Sequence, residues 1–251
     1  MNWIGLLLLF VGLWALAEPL LASMLHLPSH SFAPRARTAA GILFVALGIA
    51  LMLVPPAAAS VGTPPEIVQV PESAALYRRT IEVAAAEVWG IEASPARLAA
   101  QIHQESRFNP KARSSAGAEG LAQFMPGTAR WIAEQFPDKL GQFDPWDGEQ
   151  AVLAAAIYDE YLRLRNKGST DCDTWAFGLS AYNGGERALR AEQRSAVEAQ
   201  LSRERWFGDV ESRRARSPAA WKQNRDYVRR ILRVLEPAYV AAGWSGQAVC
   251  S

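Results

Sequence analysis

Two long apolar runs open the chain, and patterns of helical period follow. Residues 2–17 are almost uninterrupted apolar, Glu18-Pro19 breaks the run, and residues 20–25 resume it. A spanning helix needs about 20 apolar residues, so this segment reaches that length only with Glu18 tolerated near an interface. A second run, 39–54, ends in Pro55-Pro56-Ala57-Ala58-Ala59-Ser60. The expected organisation is a membrane segment over 1–59, made of two hydrophobic helices with a basic loop between them. A linker over 60–73 containing Pro64, Pro65 and Pro71 follows, then a domain over 74–251.

Within that domain the apolar spacing is helical throughout. An amphipathic helix is expected over 74–89, ended by Gly90. Ser94 and Pro95 then open a helix whose apolar stripe is Leu98, Ala99 and Ile102, and Asn109-Pro110 stops it, because a residue before proline is pushed out of the α region. Pro126 opens the next, with Ala129, Ile132, Ala133 and Phe136 inward. Asp147 and Gln150 stand as a capping box before a long helix to about 165, with Val152, Ala156 and Tyr161 buried. A polar loop, 166–173, leads to a shorter helix ending at Tyr182-Asn183-Gly184-Gly185. The Arg- and Glu-rich stretch 186–216 reads as a solvated helix plus a loop, and Ser217-Pro218 opens a last helix to about 235, closed by Pro237. Alternating patterns of strand length are missing. The fold class is all-α.

Candidate chemistry sits at the end of the Ser94 helix. Glu105 stands three residues after Ile102 and seven after Leu98, on the apolar stripe, where a carboxyl loses hydration and its pKa rises. A raised carboxyl is what a general acid at neutral pH requires. Gly117 and Gly120 behind it suit a turn whose backbone approaches a ligand or another element closely.

Charge and composition narrow the choices. Setting aside Glu18, Arg35 and Arg37, 24 acidic and 24 basic residues remain, so the domain is neutral and no nucleic-acid footprint is expected. The histidines, His26, His30 and His103, and the cysteines, Cys172 and Cys250, lack the spacing of a zinc site, so neither metal nor other cofactor is expected. His103, two residues from Glu105, points away from it on the helix. Arg35 and Arg37 place the loop between the apolar runs in the cytoplasm, so the N-terminus and the domain lie outside it. The same residues also read as a basic region before an exported signal with cleavage near Ala59; either way the domain is exported. In that compartment Cys172 and Cys250 can pair, tying the C-terminus to the loop before Tyr182, and their spacing leaves a bridge and two thiols equally open.

Three motifs together carry a family resemblance: Glu105-Ser106-x-Phe108-Asn109-Pro110-x-Ala112-x-Ser114, then Gly117-Ala118-x-Gly120-Leu121-x-Gln123-Phe124-Met125-Pro126-x-Thr128, then Ala181-Tyr182-Asn183-Gly184-Gly185. In this order they resemble the catalytic core of the soluble lytic transglycosylases, in the lysozyme-like superfamily that includes goose-type lysozyme. The resemblance implies a lysozyme-like α bundle with a groove for a sugar chain. It implies Glu105 as the acid, Ser106 as a supporting hydrogen-bond partner, and Gln123, Tyr182 and Asn183 as residues directed at the substrate. Tyr227 matches the family's last tyrosine, although Gln223-Asn224 stand where the family has Glu-Thr, so core packing and a place at the substrate stand equally open for it.

The activity so implied is cleavage of the β-1,4 link between N-acetylmuramic acid and N-acetylglucosamine in peptidoglycan strands, with a 1,6-anhydro product and Glu105 serving first as acid and then as base. The location implied is the inner membrane with the domain in the periplasm. A hydrolytic muramidase on the same fold, and a non-catalytic wall-binding scaffold of an envelope-spanning secretion, conjugation or phage machine, are the two rival readings. A hydrolase needs a second carboxylate, and the acids near the motif are Glu119, Asp144 and Asp147. None matches a catalytic position of the family.

Overall fold

The computed structural model describes residues 68–250. The apolar runs at 2–25 and 39–54, and most of the linker, lie outside the described residues. Among those described, no helix is long and apolar enough to cross a membrane.

The described chain is α-helical, with only isolated bridges, Arg113 to Glu119 and Glu119 to Phe124, in place of strands. The helices are α1 (Ala74–Trp89), α2 (Pro95–Ser106), α3 (Pro126–Gln135), α4 (Pro137–Leu140), α5 (Gly148–Arg165), α6 (Asp171–Gly184), α7 (Glu186–Glu198), α8 (Pro218–Arg230) and α9 (Glu236–Ala241). Local signals set many of these bounds. Gly90 ends α1 at φ 74°, a conformation that costs glycine little. Asp147 accepts from the backbone of Glu149 and Gln150 and so opens α5. The reciprocal half of the expected capping box is not made, because Gln150 instead accepts from the Asp144 backbone at 3.0 Å.

Helix α2 is the centre of the domain. Every residue from Pro95 to His103 is buried, and α1, α5, α9 and the turn before α9 pack around it. A helix covered on all sides buries its polar residues as well as its apolar ones. Hence Arg97 pairs with Glu236 at 2.8 Å and lies 4.3 Å over the Trp175 ring. Ser94 takes the expected position at the start of α2, but its hydroxyl donates to Glu236 at 3.3 Å and makes no cap.

Two expectations fail for reasons of long-range packing. Pro237 does not close the last helix. A π-helical turn, Ile231–Leu235, carries the backbone from α8 straight into α9, with the Glu236 N–H bonded to the Ile231 carbonyl. Proline has no N–H and clashes with the carbonyl four residues back, and the wider π turn accommodates it. Nor is 186–216 a merely solvated stretch. Glu192 is fully buried between Arg216 and Arg225, at 3.0 Å from each, and Trp206 is fully buried against Phe177.

Cys172, in the first turn of α6, and Cys250 form a disulfide spanning 78 residues of sequence. Closing a loop of that size removes unfolded-chain entropy corresponding to about 4 kcal/mol in the chain-entropy model. Replacing both cysteines by serine should therefore lower the melting temperature by about 10 °C. Thermal unfolding of the two proteins without reductant checks this; equal midpoints would show that the bridge contributes nothing.

Candidate active site

Glu105 occupies the last turn of α2, where the chain leaves the core. Arg107 and Phe108 turn the backbone through left-handed conformations at φ 53° and 62°, and the buried Phe108 ring fixes the turn. Side chains other than glycine rarely hold such angles without surrounding packing. The loop behind them closes on itself through Gly120, whose φ is +73° and where a Cβ would come 1.7 Å from the Pro145 carbonyl oxygen. This is the close backbone approach expected for the glycine turn, made to another loop of the protein.

Glu105 faces a groove of about 720 Å³ lined also by Gln104, Gln123, Met125, Tyr182, Asn183, Gln223, Asp226, Tyr227 and Arg230. Its carboxyl is partly accessible from the groove and otherwise enclosed by protein. That enclosure pushes its pKa up to about 8, against the opposing pull of a hydrogen bond from Tyr227. The Tyr227 hydroxyl donates to Glu105 Oε1 at 2.6 Å. At neutral pH the acid therefore keeps its proton, and Oε2 is the oxygen left to carry it toward a ligand.

The other expected site residues divide. Tyr182 and Asn183, at the end of α6, reach the groove. The Tyr182 hydroxyl donates to the Ala122 carbonyl at 2.8 Å, and Asn183 Oδ1 accepts from Asn224 at 3.0 Å. Gln123 lines the groove while its amide N–H groups bond the Ala112 and Gly120 carbonyls at 3.0 and 2.9 Å. It thus satisfies the glycine turn and leaves its carbonyl oxygen for the groove. Ser106 is not brought to the site: its hydroxyl bonds back to the Ile102 carbonyl at 3.5 Å, and it does not line the groove. The reason is its place one residue past Glu105, which turns it about 100° away on a helix.

Two groups were missed by sequence reasoning. Asn224, fully buried, accepts from Ser180 and Arg225 at 2.9 Å each and donates to the Ser180 carbonyl and to Asn183. The signal for it was the departure at Gln223-Asn224 from the family pattern. Asp226 is the second carboxylate on the groove, exposed and ion-paired with Lys222. The acids weighed from sequence lie elsewhere: Glu119 pairs with Arg113 at 3.5 Å and lines a different hollow, Asp144 accepts from the Trp146 backbone, and Asp147 caps α5.

His103 is a core histidine, 3.1 Å from the Tyr239 hydroxyl. Trp146 is 40% exposed and stands apart from the groove. Among the described residues no cluster of His, Cys, Asp or Glu could hold a metal ion. A further hollow of about 740 Å³ lies at the opposite end of α2, between Ser94, Arg97 and residues 245–249.

Comparison with known proteins finds likenesses over part of the chain. Residues 83–203 match the family model described as the transglycosylase SLT domain. Over those residues the chain is similar to that family. Over 112 residues it is 34% identical to a membrane-bound lytic murein transglycosylase F of Shewanella denitrificans, covering 44% of this chain and 21% of that protein. A protein of the same description from Maricaulis maris is 32% identical over 135 residues, 52% of this chain and 26% of that one. The chain therefore spans about a fifth to a quarter of the length of these curated relatives. Among solved structures, the 70 kDa soluble lytic transglycosylase of Escherichia coli aligns with a TM-score of 0.47 and 24% identity, over 70% of this chain and 26% of that chain. The SLT match includes Glu105, Gln123, Tyr182 and Asn183; Tyr227 lies beyond its last residue.

Proposed function

We propose that this chain is a peptidoglycan lytic transglycosylase that cuts the bond between N-acetylmuramic acid and N-acetylglucosamine, on a lysozyme-like α bundle. The observation that carries the reading is Glu105, an acid enclosed at the groove whose pKa burial raises to about 8 and whose Oε1 accepts from Tyr227 at 2.6 Å. The Glu105 proton passes to the glycosidic oxygen as oxocarbenium character develops at C1 of the muramic acid. The carboxylate left behind, held by the Tyr227 hydroxyl, then takes the proton of the C6 hydroxyl, whose oxygen closes on C1. The product is a 1,6-anhydro sugar, and no water is consumed. The resemblance adds help from the substrate's own N-acetyl group. Gln123 Oε1, Asn183 and Tyr182 line the groove as polar partners for sugar hydroxyls and amides.

The apolar runs at 2–25 and 39–54 suit an anchor that leaves the domain in the periplasm. The Cys172–Cys250 bridge, of a kind that persists in oxidising compartments, supports export, as do the names of the membrane-bound relatives.

A hydrolase is the one rival that an observation favours, since Asp226 shares the groove. Its exposure and its Lys222 partner make it a poor match for a base that activates water beside an enclosed acid. Mass spectrometry of muropeptides released from purified peptidoglycan separates the readings. The expected products are lighter by one water than muramidase products and carry 1,6-anhydro ends. Reducing muramic acid as the main product, lost in Asp226→Asn, would establish the hydrolase instead.

A further inference from the structure

One turn before Glu105 on the same helix, Gln101 is fully buried and meets Asp159 of α5, 1% exposed, through a bond of 3.1 Å from Nε2 to Oδ1. Each group keeps one buried oxygen without a hydrogen-bond partner, Gln101 Oε1 and Asp159 Oδ2. Both are acceptors if Asp159 is ionised, and neither can then serve the other.

The charges around Asp159 decide between its two states. Facing it are Arg97 and Glu105 from α2, Tyr182 from α6, Tyr227 from α8, and Tyr158 and Glu160 of its own helix. Arg97 is the one cation in this set, and it is engaged by Glu236 at 2.8 Å. An ionised Asp159 would be a buried charge without a counter-ion of its own, beside the acid of the groove. A single proton on Oδ2 removes that charge and turns Oδ2 into the donor that Gln101 Oε1 lacks, so the amide and the acid are joined by two bonds.

We propose that Asp159 is a positioning residue, protonated at neutral pH and paired through both of its oxygens with the Gln101 amide, which pins the helical turn below Glu105 without a second negative charge beside it. Burial holds the Asp159 carboxyl well above its ordinary range, and an ionised Glu105 pushes it further the same way. Loss of the Glu105 proton therefore favours the protonated form of Asp159. The catalytic part of this inference rests on Glu105 as the acid; the protonation of Asp159 does not.

Infrared difference spectra of the full chain in a Glu105→Gln background test the protonation without any turnover. At neutral pH, Asp159→Asn should remove the carbonyl band of a protonated carboxylic acid and leave the carboxylate bands unchanged. Loss of a carboxylate band would overturn the proposal, whatever the enzyme's substrate. The positioning role is tested with Glu105 intact. Asparagine offers Gln101 the same donor and acceptor, so Asp159→Asn should degrade peptidoglycan within about threefold of wild type, with the alkaline limb of its pH profile unmoved. Asp159→Leu, of similar size but unable to pair, should lose kcat by about 10- to 100-fold with KM little changed. A limb shifted to lower pH in Asp159→Asn would show that a charge had been removed. That result, or wild-type kcat in a folded Asp159→Leu, would sink the proposal, and the asparagine variant decides even if the leucine variant fails to fold.

Discussion

Replacing Glu105 by glutamine should abolish murein degradation while making the folded protein more stable as pH rises. The activity loss follows from the proton: glutamine keeps the shape of the side chain and can accept from Tyr227, but has no acidic proton to deliver to a glycosidic oxygen. A variant keeping more than about a tenth of the wild-type rate would move the catalytic role to another group. The stability gain follows from linkage. The Glu105 carboxyl titrates at about 8 in the folded protein and near 4.5 as its ordinary value. Below 4.5 both folded and unfolded chains hold the proton, and the group shifts nothing. From there to about 8 the unfolded chain releases the proton while the folded chain keeps it, so stability falls as pH rises. The loss is complete above about 8 and amounts to at most about 5 kcal/mol, an upper limit because one side of the carboxyl opens to the groove. Urea unfolding of both proteins at pH 5 and pH 9, on either side of most of this window, should show wild type weakening more than the glutamine variant. Equal pH dependence in the two would refute the raised carboxyl. In wild type the same titration should make kcat/KM fall as pH rises through about 8.

The parts of this fold that could be read in sequence are those fixed by neighbours along the chain. Gly90, Pro95, Pro126 and Asp147 act within one turn of where they stand, and each marks the helix end expected of it. The stripe Leu98–Ile102–Glu105 likewise needed only the helical period to predict an enclosed acid. What escaped the reading depends on partners far along the chain. Glu192 reads as solvated until Arg216 and Arg225 close on it, and Pro237 reads as a stop until a π turn carries the helix past it. Asp226 and Asp159 escaped for the same reason. A search for acids close in sequence to Glu105 reaches neither, although one shares its groove and the other lies among its buried neighbours.

Tyr227 is where the sequence reading left packing and function equally open, and Tyr227→Phe separates them. Phenylalanine keeps the ring, which is 4% exposed, so a residue that only packs should tolerate the change. The hydroxyl, however, donates to Glu105 Oε1 at 2.6 Å, and that bond strengthens when Glu105 becomes a carboxylate. Two effects should follow together. Without the donor the charged form of Glu105 loses a hydrogen bond that stabilises it, so its pKa rises further and the alkaline limb of kcat/KM moves to higher pH. The carboxylate formed on proton delivery also loses a charge-assisted bond worth about 1.5–3 kcal/mol, so the rate below the limb should fall by roughly 10- to 100-fold. The opposing signs make the test specific: the variant should be slower than wild type at pH 6 yet keep its proton, and so its remaining activity, to a higher pH. Full pH–rate profiles for both proteins on purified peptidoglycan provide the comparison. A profile unchanged in both height and position would return Tyr227 to the core.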